Sequence, residues 1–143
     1  MSLAANPLSI TVVGLGQMGG NMALTLQAAG FAVTGSDVFE VARARLEGLG
    51  LAVVAPNALP PSDVYLLSLP TSAHVREVIE HSPGLLTLAP KGSVIVDTST
   101  SAPAVSRELA EKVAAAGLDV TYTEPYRQDG PLWTKPNVIL TSH

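Results

Sequence analysis

The feature that most constrains this chain is a glycine pattern set between a strand and a helix. Ile10-Thr11-Val12-Val13 is a short β-branched run that stops at a glycine and reads as a buried strand. Gly14-Leu15-Gly16-Gln17-Met18-Gly19 follows, a G-x-G-x-x-G. From residue 17 to 29 the periodicity turns helical, with Met18, Met22, Leu26 and Ala29 on one expected core face and Gly30 as the stop. With 12 glycines in 143 residues, the pattern alone carries little weight, and it could make nothing more than a tight turn. Its position after a strand and at the start of a helix is the context that gives it meaning. Gly14 then permits the turn, Gly16 lets the main chain approach a pyrophosphate, and Gly19 allows the helix to pack close to the strand. Leu15, Gln17 and Met18 complete the expected phosphate loop. The helix start presents free N–H groups and the positive end of its dipole.

A second element supports this reading independently. Residues 31–35 read as the next strand, and Asp37 lies just past it, 23 residues after Gly14. A carboxylate there accepts the ribose hydroxyls of an adenosine and repels a 2′-phosphate. The expected ligand is therefore a dinucleotide, NAD in preference to NADP. Val38 and Phe39 offer no cation to a 2′-phosphate, although Arg43 stands one helical turn on. A methyl-transfer or nucleotide-sugar site is the rival for such a loop, without an added glycine-acid signature to favour it.

The alternation continues along the chain. Helices are expected over 39–49 (Ala42, Leu46 and Leu49 inward), 72–79 (Ser72 as N-cap) and 101–116 (Ser101 as cap). In the last of these, Val105, Leu109 and Val113 form a ladder, with Arg107–Glu111 and Glu108–Lys112 pairs on the solvent side. Strands are expected over 51–54, 64–69, 93–96 and 119–123. The three prolines of 56–62 exclude a regular helix there, and 83–90 reads as a loop with an apolar patch at Leu85-Leu86. Strand–helix alternation of this kind gives an α/β fold: a Rossmann-type doubly wound parallel sheet in a single domain. We divide the chain into a lead-in (1–9), a dinucleotide-binding domain (10–123) and a C-terminal tail (124–143).

Composition narrows the function. Apolar residues make up 47% and aromatics 4%, so the core is aliphatic. Net charge is −4 without a basic stripe, which argues against nucleic acid as a partner. Neither a polybasic segment nor a membrane-length apolar run is present, so no membrane partner is expected. Cysteine is absent, which excludes thiolate chemistry and fits a cytoplasmic protein. His74, His81 and His143 are not spaced as ligands, so no metal site is expected. His74 lies near the expected crevice, but a surface role is the simpler reading.

The stretch Val13-Gly14-Leu15-Gly16-Gln17-Met18-Gly19-Gly20-Asn21-Met22-Ala23 resembles the N-terminal signature of the β-hydroxyacid dehydrogenases. This is the 3-hydroxyisobutyrate dehydrogenase group, to which 6-phosphogluconate dehydrogenase is related. Leu67-Ser68-Leu69-Pro70-Thr71, Val75-Arg76-Glu77-Val78 and Val96-Asp97-Thr98-Ser99-Thr100, with Pro103 and Ser106-Arg107, resemble later family segments in order. The resemblance implies that Leu69, Pro70 and Thr71 lie along the adenosine ribose and pyrophosphate. It implies that Ser99 and Thr100 stand near the nicotinamide, at the substrate's edge. Read without it, Ser99 and Thr100 are helix-start residues and Asp97 is a loop-ordering acid.

The likeness runs from about residue 10 to 122 and then fails. Where the family has an Asp-Ala-Pro-Val-Ser-Gly-Gly loop for the substrate carboxylate, this chain reads Thr123-Glu124-Pro125-Tyr126-Arg127-Gln128-Asp129-Gly130. The family's helical second domain and its catalytic lysine have no counterpart here, and Lys135, in a proline-flanked segment, is not a substitute. A β-hydroxyacid is thus an expected substrate only if another domain completes the site. A non-catalytic dinucleotide-binding module is the alternative. The sheet surface left without that domain is expected to favour a homodimer.

Overall fold

A computed structural model describes residues 7–81, 83–99 and 102–122. β1 (Ser9–Val13), β2 (Ala32–Ser36), β3 (Ala52–Val54), β4 (Val64–Leu67), β5 (Val94–Asp97) and β6 (Asp119–Tyr122) form one sheet in the order β3-β2-β1-β4-β5-β6. Every pairing is parallel. The chain steps outward from β1 to β3, then returns to the other side of β1 with β4. That reversal opens a crevice between the carboxyl ends of β1 and β4, where sheets of this kind bind ligands.

The pleat sends alternate residues to two apolar clusters. Ile10, Val12, Leu15, Ala23, Val33, Leu46 and Leu51 form one, beneath α1 (Gln17–Ala28) and α2 (Glu40–Gly48). Val13, Tyr65, Leu67, Val75, Ile79, Leu85, Ile95, Leu109 and Val113 belong to the other, with α3 (Ser72–Glu80), α4 (Leu85–Leu88) and α5 (Pro103–Ala115). Each fully buried leucine contributes about 1.5–3 kcal/mol.

Four expectations need correction. Met18 (65% exposed) and Ala29 do not face the core; α1 buries Gly19, Gly20 and Ala23 instead. A Cβ on Gly19 would already stand 1.9 Å from the Gly14 carbonyl oxygen, so the inner side of this first turn has no room for a large side chain. Leu49 is likewise exposed, since α2 ends at Gly48 and the chain turns away. The cap of α3 is Thr71, whose hydroxyl accepts the His74 N–H; the Ser72 hydroxyl instead accepts the Ala102 N–H. Finally, residues 85–88 form a short helix rather than a loop, because burying Leu85 against α3 and the sheet requires a local turn of backbone hydrogen bonds. The expected cap Ser101 lies outside the described residues.

On the outer surface the expected Glu108–Lys112 pair is present at 3.3 Å and belongs to a larger network. Arg76 of α3 holds Glu108 of α5 through two bonds of 2.9 Å and also reaches Glu80, which pairs with Lys112.

Candidate functional site

The loop after β1 is shaped by contacts that only glycine permits. Gly14 has φ +99°, and a Cβ there would stand 2.1 Å from the Ser68 carbonyl oxygen. A Cβ on Gly19 would stand 1.9 Å from the Gly14 carbonyl oxygen, so the first turn of α1 lies directly on the loop. Gly16 differs: a Cβ there would meet nothing within 4 Å. Two glycines are thus required by packing, and the third fronts open space. That is the cradle a pyrophosphate needs, because a side chain at Gly16 would fill it.

The helix end above this space is available to an anion. Gly16 is the N-cap of α1 without a side-chain capping bond, and the first turn carries no acidic residue. Its N–H groups therefore retain hydrogen-bonding capacity for a bound phosphate. Leu15 is part of the loop through its main chain alone, since its side chain is fully buried against Leu46 and Leu51. Gln17 and Met18 are exposed on the crevice-side turn.

Asp37 is half-buried at the end of β2 and is joined to the loop. Its Oδ2 accepts the Leu15 N–H at 2.7 Å and its Oδ1 accepts the Phe39 N–H at 2.8 Å. Each oxygen keeps acceptor capacity, as a ribose diol requires. The structure therefore brings the loop and the acid together, as their spacing predicts. Beside them, Val38 and Phe39 are about 70% exposed and apolar.

The ends of β4 and β5 form the opposite wall. The Leu69 N–H donates to Ser99 Oγ at 2.8 Å, and the Ser99 N–H donates to Asp97 Oδ1 at 2.8 Å. Thr98 bonds the Leu67 carbonyl oxygen through both its N–H and its hydroxyl. Asp97 and Ser99 are buried, so both order the wall. Pro70 and Thr71 are exposed at its rim, where Thr71 Oγ1 also lies 2.6 Å from His74 Nδ1. Thr100 lies outside the described residues. No group of His, Asp and Glu among the described residues could hold a metal ion.

Two arginines of α2 stand behind the loop: Arg43, noted in the sequence only for its reach toward a 2′-phosphate, and Arg45, which the motif did not point to. Arg45 donates to the Leu15 carbonyl oxygen at 3.0 Å, and Arg43 donates to the Asp37 carbonyl oxygen at 2.7 Å. The available signal was Gly20, a fourth glycine outside the pattern, where a Cβ would lie 3.2 Å from Arg45 Nη2.

Comparison with known proteins agrees with this geometry. The family described as the NAD binding domain of 6-phosphogluconate dehydrogenase matches residues 9–122. Human mitochondrial 3-hydroxyisobutyrate dehydrogenase is 36% identical over 115 residues, covering 79% of this chain and 34% of the human protein. The NAD-dependent L-serine dehydrogenase of Pseudomonas aeruginosa is 32% identical over 114 residues, 76% of this chain and 37% of that enzyme. A solved structure of Mycobacterium tuberculosis 3-hydroxyisobutyrate dehydrogenase with L-serine superposes with a TM-score of 0.72 at 29% identity, covering 80% of this chain and 39% of that one. The chain thus spans little more than a third of the length of these relatives. With a glycine cradle, an unserved helix end and an acid at the end of β2 in place, the chain belongs to the family of 6-phosphogluconate dehydrogenase-type NAD-binding domains.

Proposed function

We propose that this domain serves an oxidoreductase of the 3-hydroxyisobutyrate dehydrogenase type, acting on a small β-hydroxyacid. NAD, when bound, supplies the hydride acceptor for such chemistry. The single observation that carries the reading is the union of the open Gly16 cradle with the Asp37 carboxylate through the Leu15 N–H. In this reading Gly14, Leu15, Gly16, Gln17, Met18 and Gly19 bind the pyrophosphate, mainly through their main chain. Asp37 takes the adenosine ribose. Leu69, Pro70 and Thr71 flank the adenosine side, and Ser99 and Thr100 border the nicotinamide.

NAD is preferred to NADP because a carboxylate faces the ribose and the neighbouring Val38 and Phe39 are apolar. Arg43 and Arg45, the cations of α2 beside this loop, each donate to a main-chain carbonyl. The functional unit is residues 10–123, with 1–9 a lead-in and 124–143 a tail divergent in sequence. The proton relay at the substrate hydroxyl is assigned to the part of the relatives that this chain does not span. A cytoplasmic location and self-association through the sheet surface complete the proposal. No helix among the described residues is long and apolar enough to cross a membrane.

Titration with NADH and NADPH, followed by an activity scan with β-hydroxyacids, tests this. Tighter binding of NADH is expected, with turnover only when the completing domain is supplied. Equal or tighter binding of NADPH contradicts the cofactor assignment. Turnover absent even from the completed protein leaves a dinucleotide-binding module and contradicts the dehydrogenase.

A further inference from the structure

We propose that Arg45 is a positioning residue for the dinucleotide: from α2 it holds the peptide that aims the Gly16 N–H at the phosphates. The inference rests on the dinucleotide-binding reading and names a residue that lies outside the glycine pattern.

Leu15 is held on three sides. Its side chain is fully buried, its N–H donates to Asp37 Oδ2, and its carbonyl accepts from Arg45 Nη2 at 3.0 Å. The next peptide unit joins Leu15 to Gly16. A trans peptide is planar, so its C=O and N–H point in opposite directions. Drawing the Leu15 carbonyl toward α2 therefore turns the Gly16 N–H away from α2. Gly16 has no side chain to fix its own dihedrals, and glycine samples more backbone conformations than any other residue. A restraint from outside the loop is what such a peptide requires if its N–H is to wait in one direction.

Packing beside the loop fits this role. Gly20 leaves the space that the guanidinium uses: a Cβ there would come within 3.2 Å of Arg45 Nη2 and 3.4 Å of the Leu15 carbonyl oxygen. The same guanidinium adds a positive charge beside the first turn of α1, where an anion is to be bound. An arginine matches the position because its planar fork can hold a carbonyl in a fixed direction, which an ammonium on a flexible stem does less well.

The test uses the full chain, with Arg45→Ala, Arg45→Lys, and Lys91→Gln as a charge-matched control at the far end of the sheet. NADH affinity is measured by calorimetry, and amide hydrogen exchange at Leu15 is followed without ligand. Arg45→Ala is expected to weaken NADH binding about tenfold, as loss of a charge-assisted hydrogen bond does. Exchange at the Leu15 N–H, which is protected by its bond to Asp37, should rise, and thermal stability should change little. Arg45→Lys should recover part of the affinity, and Lys91→Gln should bind as the parent does. A role in stability alone would lower the melting temperature and leave affinity untouched at 20 °C (about room temperature); that result overturns the proposal, as does unchanged exchange in Arg45→Ala. Should Arg45→Ala not fold, Arg45→Lys carries the same two readouts. If the parent chain binds no NADH, the dinucleotide reading falls, and the exchange data then separately decide whether Arg45 restrains the loop.

Discussion

The two ends of the sheet handle polar groups in opposite ways. At the amino end, polar groups close on one another. Thr11 Oγ1 and Ser62 Oγ lie 2.6 Å apart, and the Tyr65 hydroxyl accepts the Ser62 N–H and donates to the Pro60 carbonyl oxygen. Ser93 Oγ donates to the Ser62 carbonyl oxygen, and Asp63 bonds the N–H and hydroxyl of Ser9. The segment rich in prolines is pinned under β1 and β4 by this network. At the carboxyl end, the loop and Asp37 are fixed by a few bonds from behind, while Gly16 and the start of α1 keep capacity in front. One end is built to stay shut, and the other holds donors and acceptors ready for a ligand. Satisfied polar networks make a rigid base; ligand sites need preset groups that are not yet satisfied.

Substitutions that act on one end and spare the other test this contrast. The largest effect is expected from Gly19→Ala, where the new Cβ would overlap the Gly14 carbonyl oxygen. Separating α1 from the loop should abolish measurable NADH binding and cost about 2 kcal/mol or more of stability, read by calorimetry and urea unfolding. Asp37→Ala comes next: NADH should weaken by about 10–100-fold, and the preference for NADH over NADPH should shrink or vanish. A preference left intact would move the ribose contact elsewhere.

Tyr65→Phe works at the opposite end. It leaves the buried Ser62 N–H without its acceptor and should cost about 1–3 kcal/mol in urea unfolding, with NADH affinity unchanged far below the transition. A changed affinity would mean that the two ends are coupled. Burial also holds the Tyr65 phenol above its ordinary value of 10.0, against the smaller opposing effect of the Ser62 bond. The folded state therefore keeps this proton longer than the unfolded state does, so stability should fall as pH rises above about 10.

The charge network between α3 and α5 belongs to neither end and should give the smallest effect. Its hydrogen bonds to Arg76 and then Lys112 lower the Glu108 carboxyl to about 2 from an ordinary 4.5. Lys112, then Arg76, also lowers Glu80. A lowered folded-state value gives stability that is present above pH 4.5 and fades as pH falls toward 2. The network lies at the surface, with each side chain partly open to solvent, so Arg76→Ala should shift acid unfolding slightly at low salt and not at 1 M salt, roughly where screening is nearly complete.

The loop and Asp37 were legible in the sequence because each is local. Three glycines at fixed spacing dictate a turn, and an acid at a strand end needs only the strand to place it. The inward face of α1 was misread because periodicity looks for large apolar side chains, whereas this helix approaches the sheet through Gly19, Gly20 and Ala23. Arg45 carried no signal of its own. It is an exposed residue on a helix surface, and its partner lies 30 positions earlier, brought near only by the packing of α2 beside α1. Its trace in the sequence is Gly20, which has a reason only once the guanidinium beside it is seen. The short α4 escaped because flanking prolines mark a loop, while the burial of Leu85 is a tertiary fact.

The most direct measurement is an NADH titration of the full chain followed residue by residue through backbone amide signals. Saturable shifts are expected at Gly14–Gly19, Asp37 and Leu69–Thr71, with the amino-end residues Thr11, Ser62 and Tyr65 unmoved. An absence of shifts, or shifts centred on the amino end, would contradict a dinucleotide site at the carboxyl end.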